Sequence, residues 1–322
     1  MSAVVVENLV KVFNGVTVLR GVSFRVDRGE RVGYLGPNGA GKTTTIRILL
    51  GLIKPTSGRV EVLGHDIVKD PRGVRGRLGY VRQGHSFELG LTVEQSLELY
   101  GYLWGLDRAE ARRRARELLE LFGLESVRKL YVSQLSLGTR RLVQVIRELL
   151  HDPEVLFLDE PTTGLDPVAR RKVIDYIAEW SRRRSATVFL STHIPQDIER
   201  LCSRIILIHR GRIRADMDVE KFREAFGGLT KVVAKLAKDP GPGFAKRVRE
   251  EVGNSIRVLR VSGPRVEVFA KRRDVARVVE CIAIEARRQG IELRDLRIEE
   301  PTLEDALVRA YLGEGDEAAE VG

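Results

Sequence analysis

The 322-residue sequence predicts an α/β fold over its first two thirds and a smaller α+β unit behind it. Three observations carry that expectation. An apolar run at 31–35, a glycine-rich stretch at 36–44 and a helical pattern at 45–50 form a strand, turn and helix in the context of a phosphate-binding loop. Further apolar runs at 155–160, 188–193 and 205–208 alternate with helical patterns, which suits a mainly parallel sheet covered on both faces. Near Phe226-Gly227-Gly228 the pattern changes to strand, helix, strand, strand, helix, strand, the order of a ferredoxin-like unit.

In chain order, residues 3–13 alternate loosely and predict a strand that ends at Phe13, before an Asn14-Gly15 turn signal. Residues 16–19 predict a second strand, leading into 21–26. In the helix after the phosphate loop, Ile46, Leu49, Leu50 and Ile53 fall on one face. Residues 59–64 predict a further strand, so an antiparallel β portion surrounds the start of the core. A short strand at 78–83 ends in Gln83. A helical lobe is expected from about 92 to 150. Thr92 with Gln95 and Asp107 with Glu110 have capping-box spacing, and Ala111, Ala115, Leu118, Leu119 and Phe122 form an apolar stripe. The C-terminal unit predicts strands at 231–237, 255–262, 265–271 and 291–298, with helices at 243–252 and 274–289. A last helix, 302–312, carries a cap signal in Thr302 and Asp305, and the acidic tail 314–322 reads as disordered. The expected domains are thus 1–225, 226–313 and the tail.

Composition narrows the function classes. The chain is 43% hydrophobic, and no apolar run approaches the ~18 residues of a membrane span. Its start lacks the basic flank and apolar core of a signal peptide. Cys202 and Cys281 lie far apart and make no metal-type cluster, so both read as reduced thiols of a cytosolic protein. The formal charge is +10, and it belongs to the first domain: 37 basic against 28 acidic residues through Ala225, 18 against 17 beyond. Arginine runs at 72–82, 112–116 and 182–184 could face nucleic acid or an anionic membrane, or simply be solvated helix faces.

The chemistry centres on Gly36-Pro37-Asn38-Gly39-Ala40-Gly41-Lys42-Thr43-Thr44. Helix-start N–H groups and glycine-permitted curls aim donors at one anion, Lys42 adds a full charge for the β- and γ-phosphates, and the Thr43 hydroxyl can ligate Mg²⁺. Further on stand Ser136-Leu137-Gly138-Thr139 before a helix, Asp159-Glu160-Pro161 at a strand end, Gly164-Leu165-Asp166-Pro167, and His193 at the end of the next strand.

This set, in this order, resembles the ATP-binding cassette (ABC) family from residue 4 to about 225. The resemblance implies a P-loop cassette with ATP and Mg²⁺ as ligands. By it, Phe13 stacks on adenine, Gly36 to Thr44 cradle the phosphates, and Gln83 touches Mg²⁺ or the attacking water. Asp159 holds Mg²⁺ with Thr43, Glu160 is the general base, and His193 is a switch at the γ-phosphate. Ser136, Leu137, Gly138 and Thr139 match the signature, which serves the γ-phosphate held by another cassette. Leu137 stands where a glycine is common, and Thr139 where a glutamine is frequent. Asp166 belongs to the loop expected at the dimer interface. The ending Glu300-Pro301-Thr302-Leu303-Glu304-Asp305-Ala306-Leu307 is similar to the close of cassettes that energise ABC-2-type exporters, including daunorubicin-resistance-type ones. The implied partners are a membrane permease and a second cassette, at the cytoplasmic face of the cell membrane, with no nucleic acid. The alternative reading is a non-transport ABC ATPase acting on nucleic acid or ribosomes. A GTPase is a third reading, but no Asn-Lys-x-Asp motif is present.

Overall fold

The computed structural model describes residues 1–84, 88–253 and 256–312; the expected acidic tail lies outside them. The chain divides into two compact units, Met1–Val219 and a second that begins at Glu220.

In the first unit, strand β1 (Ser2–Phe13) pairs antiparallel with β2 (Val16–Asp27) and β4 (Ser57–Val62), and the two-residue β5 (His65–Asp66) completes that sheet. The two segments expected at 16–19 and 21–26 are one strand, because a register shift absorbs the irregularity between them without breaking the pairing. The second sheet has the order β10-β9-β3-β8-β7-β6. It comprises β3 (Arg31–Leu35), β6 (Leu78–Val81), β7 (Val155–Asp159), β8 (Thr187–Thr192), β9 (Arg204–His209) and β10 (Arg212–Asp218). All neighbours are parallel except β10, which returns from β9 as an antiparallel hairpin. β7 and β8 are buried at every position, as continuous apolar runs in a doubly covered sheet should be. Phe24 of β2 stacks 5.7 Å from Phe189 of β8, and Tyr34 of β3 lies 5.2 Å from the same ring. These aromatic contacts join the two sheets in one core.

Helix α1 (Lys42–Leu49) follows β3, and the short α2 (Arg72–Arg75) precedes β6. The helical lobe holds α3 (Val93–Leu103), α4 (Arg108–Leu121) and α5 (Leu137–Leu149). Thr92 and Gln95 form the reciprocal capping box that their spacing predicts. Asp107 caps α4 through the Glu110 N–H, but the Glu110 carboxylate turns instead to Arg113 and Arg114, so the expected second box is only half made. Helices α6 (Pro167–Arg184) and α7 (Pro195–Leu201) complete the unit.

The arginine runs meet acids. Arg112 pairs with Glu98, Arg113 with Glu110 and Glu117, Arg183 with Glu179, and Arg184 with Asp152. These members are ion-paired on helix faces, the bland reading of the sequence, and Arg77 pairs with Glu154. Among the described residues, Arg72, Arg75, Arg82 and Arg182 have no carboxylate within 4.0 Å.

Helix α8 (Val219–Phe226) opens the second unit. Strands β11 (Thr230–Leu236), β12 (Ile256–Ser262), β13 (Arg265–Ala270) and β14 (Leu293–Glu299) form an antiparallel sheet in the order β12-β13-β11-β14. Helices α9 (Pro242–Val252) and α10 (Val275–Arg288) contribute Phe244, Val248, Val278 and Ile282 to its core. Helix α11 (Leu303–Leu312) begins on the reciprocal Thr302 and Asp305 cap that the sequence signals. Among the described residues, no helix is long and apolar enough to cross a membrane.

Candidate active site

The buried strand β3 delivers the chain to Gly36, whose N–H donates to Thr192 O at the end of β8. A Cβ at Gly36 would sit 2.4 Å from Ile208 O on β9, so the backbone passes where no side chain fits. Gly39 (φ 80°) and Gly41 (φ 110°) lie in the left-handed region, which other residues enter at a cost. That curl lets α1 start at Lys42, three residues before the expected 45. Residues 42–44 are therefore the first helical turn, whose N–H groups lack intrahelical acceptors and face any anion in the loop. Thr45 fixes the turn to the sheet: its hydroxyl donates to Gly41 O at 3.0 Å and accepts from the Tyr34 hydroxyl at 3.2 Å.

Lys42 is 6% exposed. Its ammonium donates to Gly36 O (2.7 Å) and Pro37 O (3.3 Å) and lies 3.1 Å from Glu160 Oε1. Glu160 stands just past β7 with φ 51°, an uncommon conformation for a non-glycine residue. Its N–H donates to Ser191 O, which pins the reversal to β8. Its second carboxylate oxygen, Oε2, lies 2.7 Å from His193 Nδ1 and accepts from the Thr163 hydroxyl at 3.1 Å. His193 itself is exposed at the end of β8. Lys42, Glu160 and His193 thus form one continuous chain of polar contacts.

Asp159 is 1% exposed and accepts at Oδ1 from Thr43 (3.2 Å) and Ser191 (3.2 Å). Burial pushes its carboxyl above the usual range, against the pull of those two hydroxyls. Asp197 on α7 is similarly buried and raised, and the Thr162 hydroxyl donates to it. Ser191, Thr162 and Asp197 were not singled out in the sequence. Isolated hydroxyls and a helix aspartate carry no one-dimensional signal.

Gln83 is exposed, two residues beyond β6. Its backbone is gripped from α5: Arg141 donates to Arg82 O and Gln83 O at 2.9 Å each, and Gln144 donates to Arg82 O and Gly84 O. Arg141 is fully buried, and burial pushes its guanidinium down to about 10. In sequence Arg140-Arg141 looks like surface. However, α5 is buried on nearly all sides, so its polar residues point into the unit.

The same helix starts at the signature. Ser136 caps it, accepting from the Thr139 N–H at 3.2 Å, and Leu137 is 43% exposed. A Cβ at Gly138 would sit 2.7 Å from Ala169 Cβ on α6, so glycine here is a packing requirement. Asp166 is exposed and caps α6 through the Val168 and Ala169 N–H groups. Phe13 is 41% exposed, with the Lys11 ammonium 4.6 Å above its ring. The loop Gly36–Thr44, Asp159, Glu160 and His193 therefore converge. Among the described residues, no hydrogen bond or ion pair ties Ser136, Leu137, Gly138 or Thr139 to that cluster.

This fold and this loop define a nucleotide-hydrolysing cassette. Residues 19–163 match the family model described as ABC transporter. A daunorubicin resistance ATP-binding protein of Streptomyces coeruleorubidus is 34% identical over 317 residues, covering 95% of each chain. A doxorubicin resistance ATP-binding protein of Mycobacterium tuberculosis is 40% identical over 240 residues, 74% of this chain and 72% of the relative. A solved structure of the ATP-binding subunit of an ABC transporter superposes with a TM-score of 0.61 at 33% identity, covering 69% of this chain and 92% of that one. The chain belongs to the ATP-binding proteins of ABC transporters, in the exporter group. It hydrolyses ATP to drive a permease.

Proposed function

We propose that hydrolysis takes place between two copies of this chain. Each site then joins Lys42 of one cassette to Ser136 and Gly138 of the other. The carrying observation is the exposed signature end of α5, which has no tie to its own chain's phosphate cluster. Its helix-start N–H groups are suited to an anion presented from outside.

In that site the first turn of α1 and the Lys42 ammonium bind the phosphates of ATP. Glu160, held by His193 and Thr163, orients the attacking water and takes its proton. Phe13 offers a half-exposed ring for adenine, and Asp166 stands at the interface. The Thr43 hydroxyl and the Asp159 carboxylate are hard oxygen donors 3.2 Å apart, which fits Mg²⁺, with Gln83 as a further ligand. Bound there, Mg²⁺ would supply positive charge that offsets the charge of the phosphates.

The permease is a separate membrane protein, which places this chain at the cytoplasmic face of the membrane as a peripheral subunit. The unit from 226 to 313 is a ferredoxin-like domain with a regulatory or dimerising role. Its β-α-β-β-α-β order and antiparallel β12-β13-β11-β14 sheet support that reading. Arg112, Arg113 and Arg114 of the helical lobe are paired with carboxylates, which counts against the nucleic-acid alternative.

Mixing two inactive variants tests the shared site. Lys42→Ala disables one loop, and Leu137→Asp puts a carboxylate on the exposed signature turn. At ~4 Å and an effective dielectric near 20, a unit charge repels a phosphate charge by about 4 kcal/mol. A mixed dimer has one intact site, so mixing restores part of the activity and dilution removes it. A Leu137→Asp protein that hydrolyses ATP normally overturns the shared site.

A further inference from the structure

We propose that the second unit binds a small organic phosphate in a cavity of about 730 Å³. This does not depend on the shared-site reading. Six cationic side chains line the cavity, Arg223, Arg257, Lys271, Arg272, Arg273 and Arg309, against two carboxylates, Glu224 and Glu300. Both carboxylates are already committed. Glu224 lies 3.3 Å from Arg272, and Glu300 lies 3.7 Å from Arg272 and 3.9 Å from Arg223. Arg273 has Asp274 at 3.9 Å. Among the described residues, Arg257, Lys271 and Arg309 have no carboxylate within 4.0 Å.

Like charges gathered around one concave wall raise its potential and draw in an anion. Glu220, 2.7 Å from Arg223 and 3.7 Å from Arg272, and Asp274 beside Arg273 bring the surplus to two positive charges, which suits a ligand with two negative ones. Arginine forks match phosphate oxygens in pairs. The cavity also makes room for one of them: a Cβ at Gly228 would sit 2.3 Å from Arg309 Nη1. Two further polar atoms in the lining residues, Thr230 Oγ1 and Arg223 Nε, are buried with no hydrogen-bond partner among the described residues. Buried polar groups are ordinarily satisfied, so their presence marks this wall as unusual. The volume is far larger than a bare phosphate needs. Phe226, Leu229 and Pro301 supply an apolar wall for an organic part.

A lipid head group and a free phosphomonoester share this chemistry. The test titrates the full-length chain with glycerol 3-phosphate and, separately, with vesicles of phosphatidic acid in phosphatidylcholine. Pure phosphatidylcholine is the blank, and hydrogen exchange over 223–230 and 269–273 locates the binding. Binding of either probe is expected, with protection of those segments, and it should survive Lys42→Ala, which lies in the other unit. The double reversal Arg257→Glu and Lys271→Glu should weaken it about tenfold or more. Both residues are exposed, and the pair Arg257→Gln and Lys271→Gln gives a second reading if the reversal unfolds. Response to glycerol 3-phosphate alone identifies a free metabolite, and response to vesicles alone a lipid head group. If neither probe binds, or if binding is unchanged in both double variants, the site is overturned.

Discussion

The phosphate-loop cluster and the signature turn lie in the same unit and are built in opposite ways. At the loop, Lys42, Asp159 and Glu160 are each under 7% exposed, and each is held by at least one other member or by the loop backbone. At the signature, Ser136 and Leu137 are exposed, and among the described residues their only side-chain polar ties are to the next turn of their own helix. One arrangement is finished within the chain, and the other presents donors outward. A lesion in the first should act through chemistry and folding together. A lesion at the exposed Leu137 of the second should act through assembly, with little change in stability.

The largest expected effect is at the loop. Glu160→Gln removes the proton acceptor but keeps an amide oxygen near Lys42, which retains its bonds to Gly36 O and Pro37 O. ATP binding should persist while turnover falls roughly 10²–10⁴-fold. Phosphate release assays beside equilibrium ATP binding measure both. Near-normal turnover would remove Glu160 from the base role.

Arg141→Met tests the link between the two regions, since Arg141 sits on the signature helix yet holds the Gln83 segment. The change strips one donor from each of Arg82 O and Gln83 O, although Arg82 O keeps Gln144, a loss of about 1–3 kcal/mol of stability. Hydrolysis should fall as well, because Gln83 loses its fixed backbone. A stable Arg141→Met protein with full turnover would show that the grip is dispensable.

Much of this was legible in the sequence, and the physics explains which parts. The loop glycines and the Asp159-Glu160 strand end are local: a strand, a curl and a helix start leave their mark in adjacent residues. The β-α-β-β-α-β order was legible because its apolar periods switch cleanly. By contrast, β10, β5 and α2 escaped notice. β10 is an edge strand of mixed polarity, RIRADMD, and the others are two and four residues long. The Arg141 and Gln144 clamp escaped because its acceptors are backbone carbonyls some sixty residues away, which no side-chain pattern announces.

A smaller effect separates packing from charge at the signature. Gly138→Ala forces a methyl toward Ala169 Cβ at 2.7 Å, and overpacking of this kind costs about 1–3 kcal/mol. Leu137→Asp, one residue earlier and exposed, should change stability by no more than about 0.5 kcal/mol. Thermal unfolding of the two variants side by side checks this. Equal losses would mean that the signature turn is not an open surface.

The smallest effect concerns the far end of the signature helix. Glu148 accepts from the Tyr80 N–H at 3.3 Å, and burial pushes its carboxyl up to about 7, against the pull of that bond and of Arg147. Below pH 4.5 the group is protonated in both folded and unfolded chains and costs nothing. As pH rises from there to 7, the unfolded chain releases its proton while the folded chain keeps it, so stability is lost across that window. Above 7 the loss is complete. The full shift corresponds to about 3 kcal/mol, which partial exposure reduces to about 1–2 kcal/mol. Glu148→Gln keeps an acceptor for Tyr80 and removes the titration. The variant should match the wild type at pH 4 and unfold at higher temperature at pH 8. An advantage independent of pH would place its origin in packing and not in the buried charge.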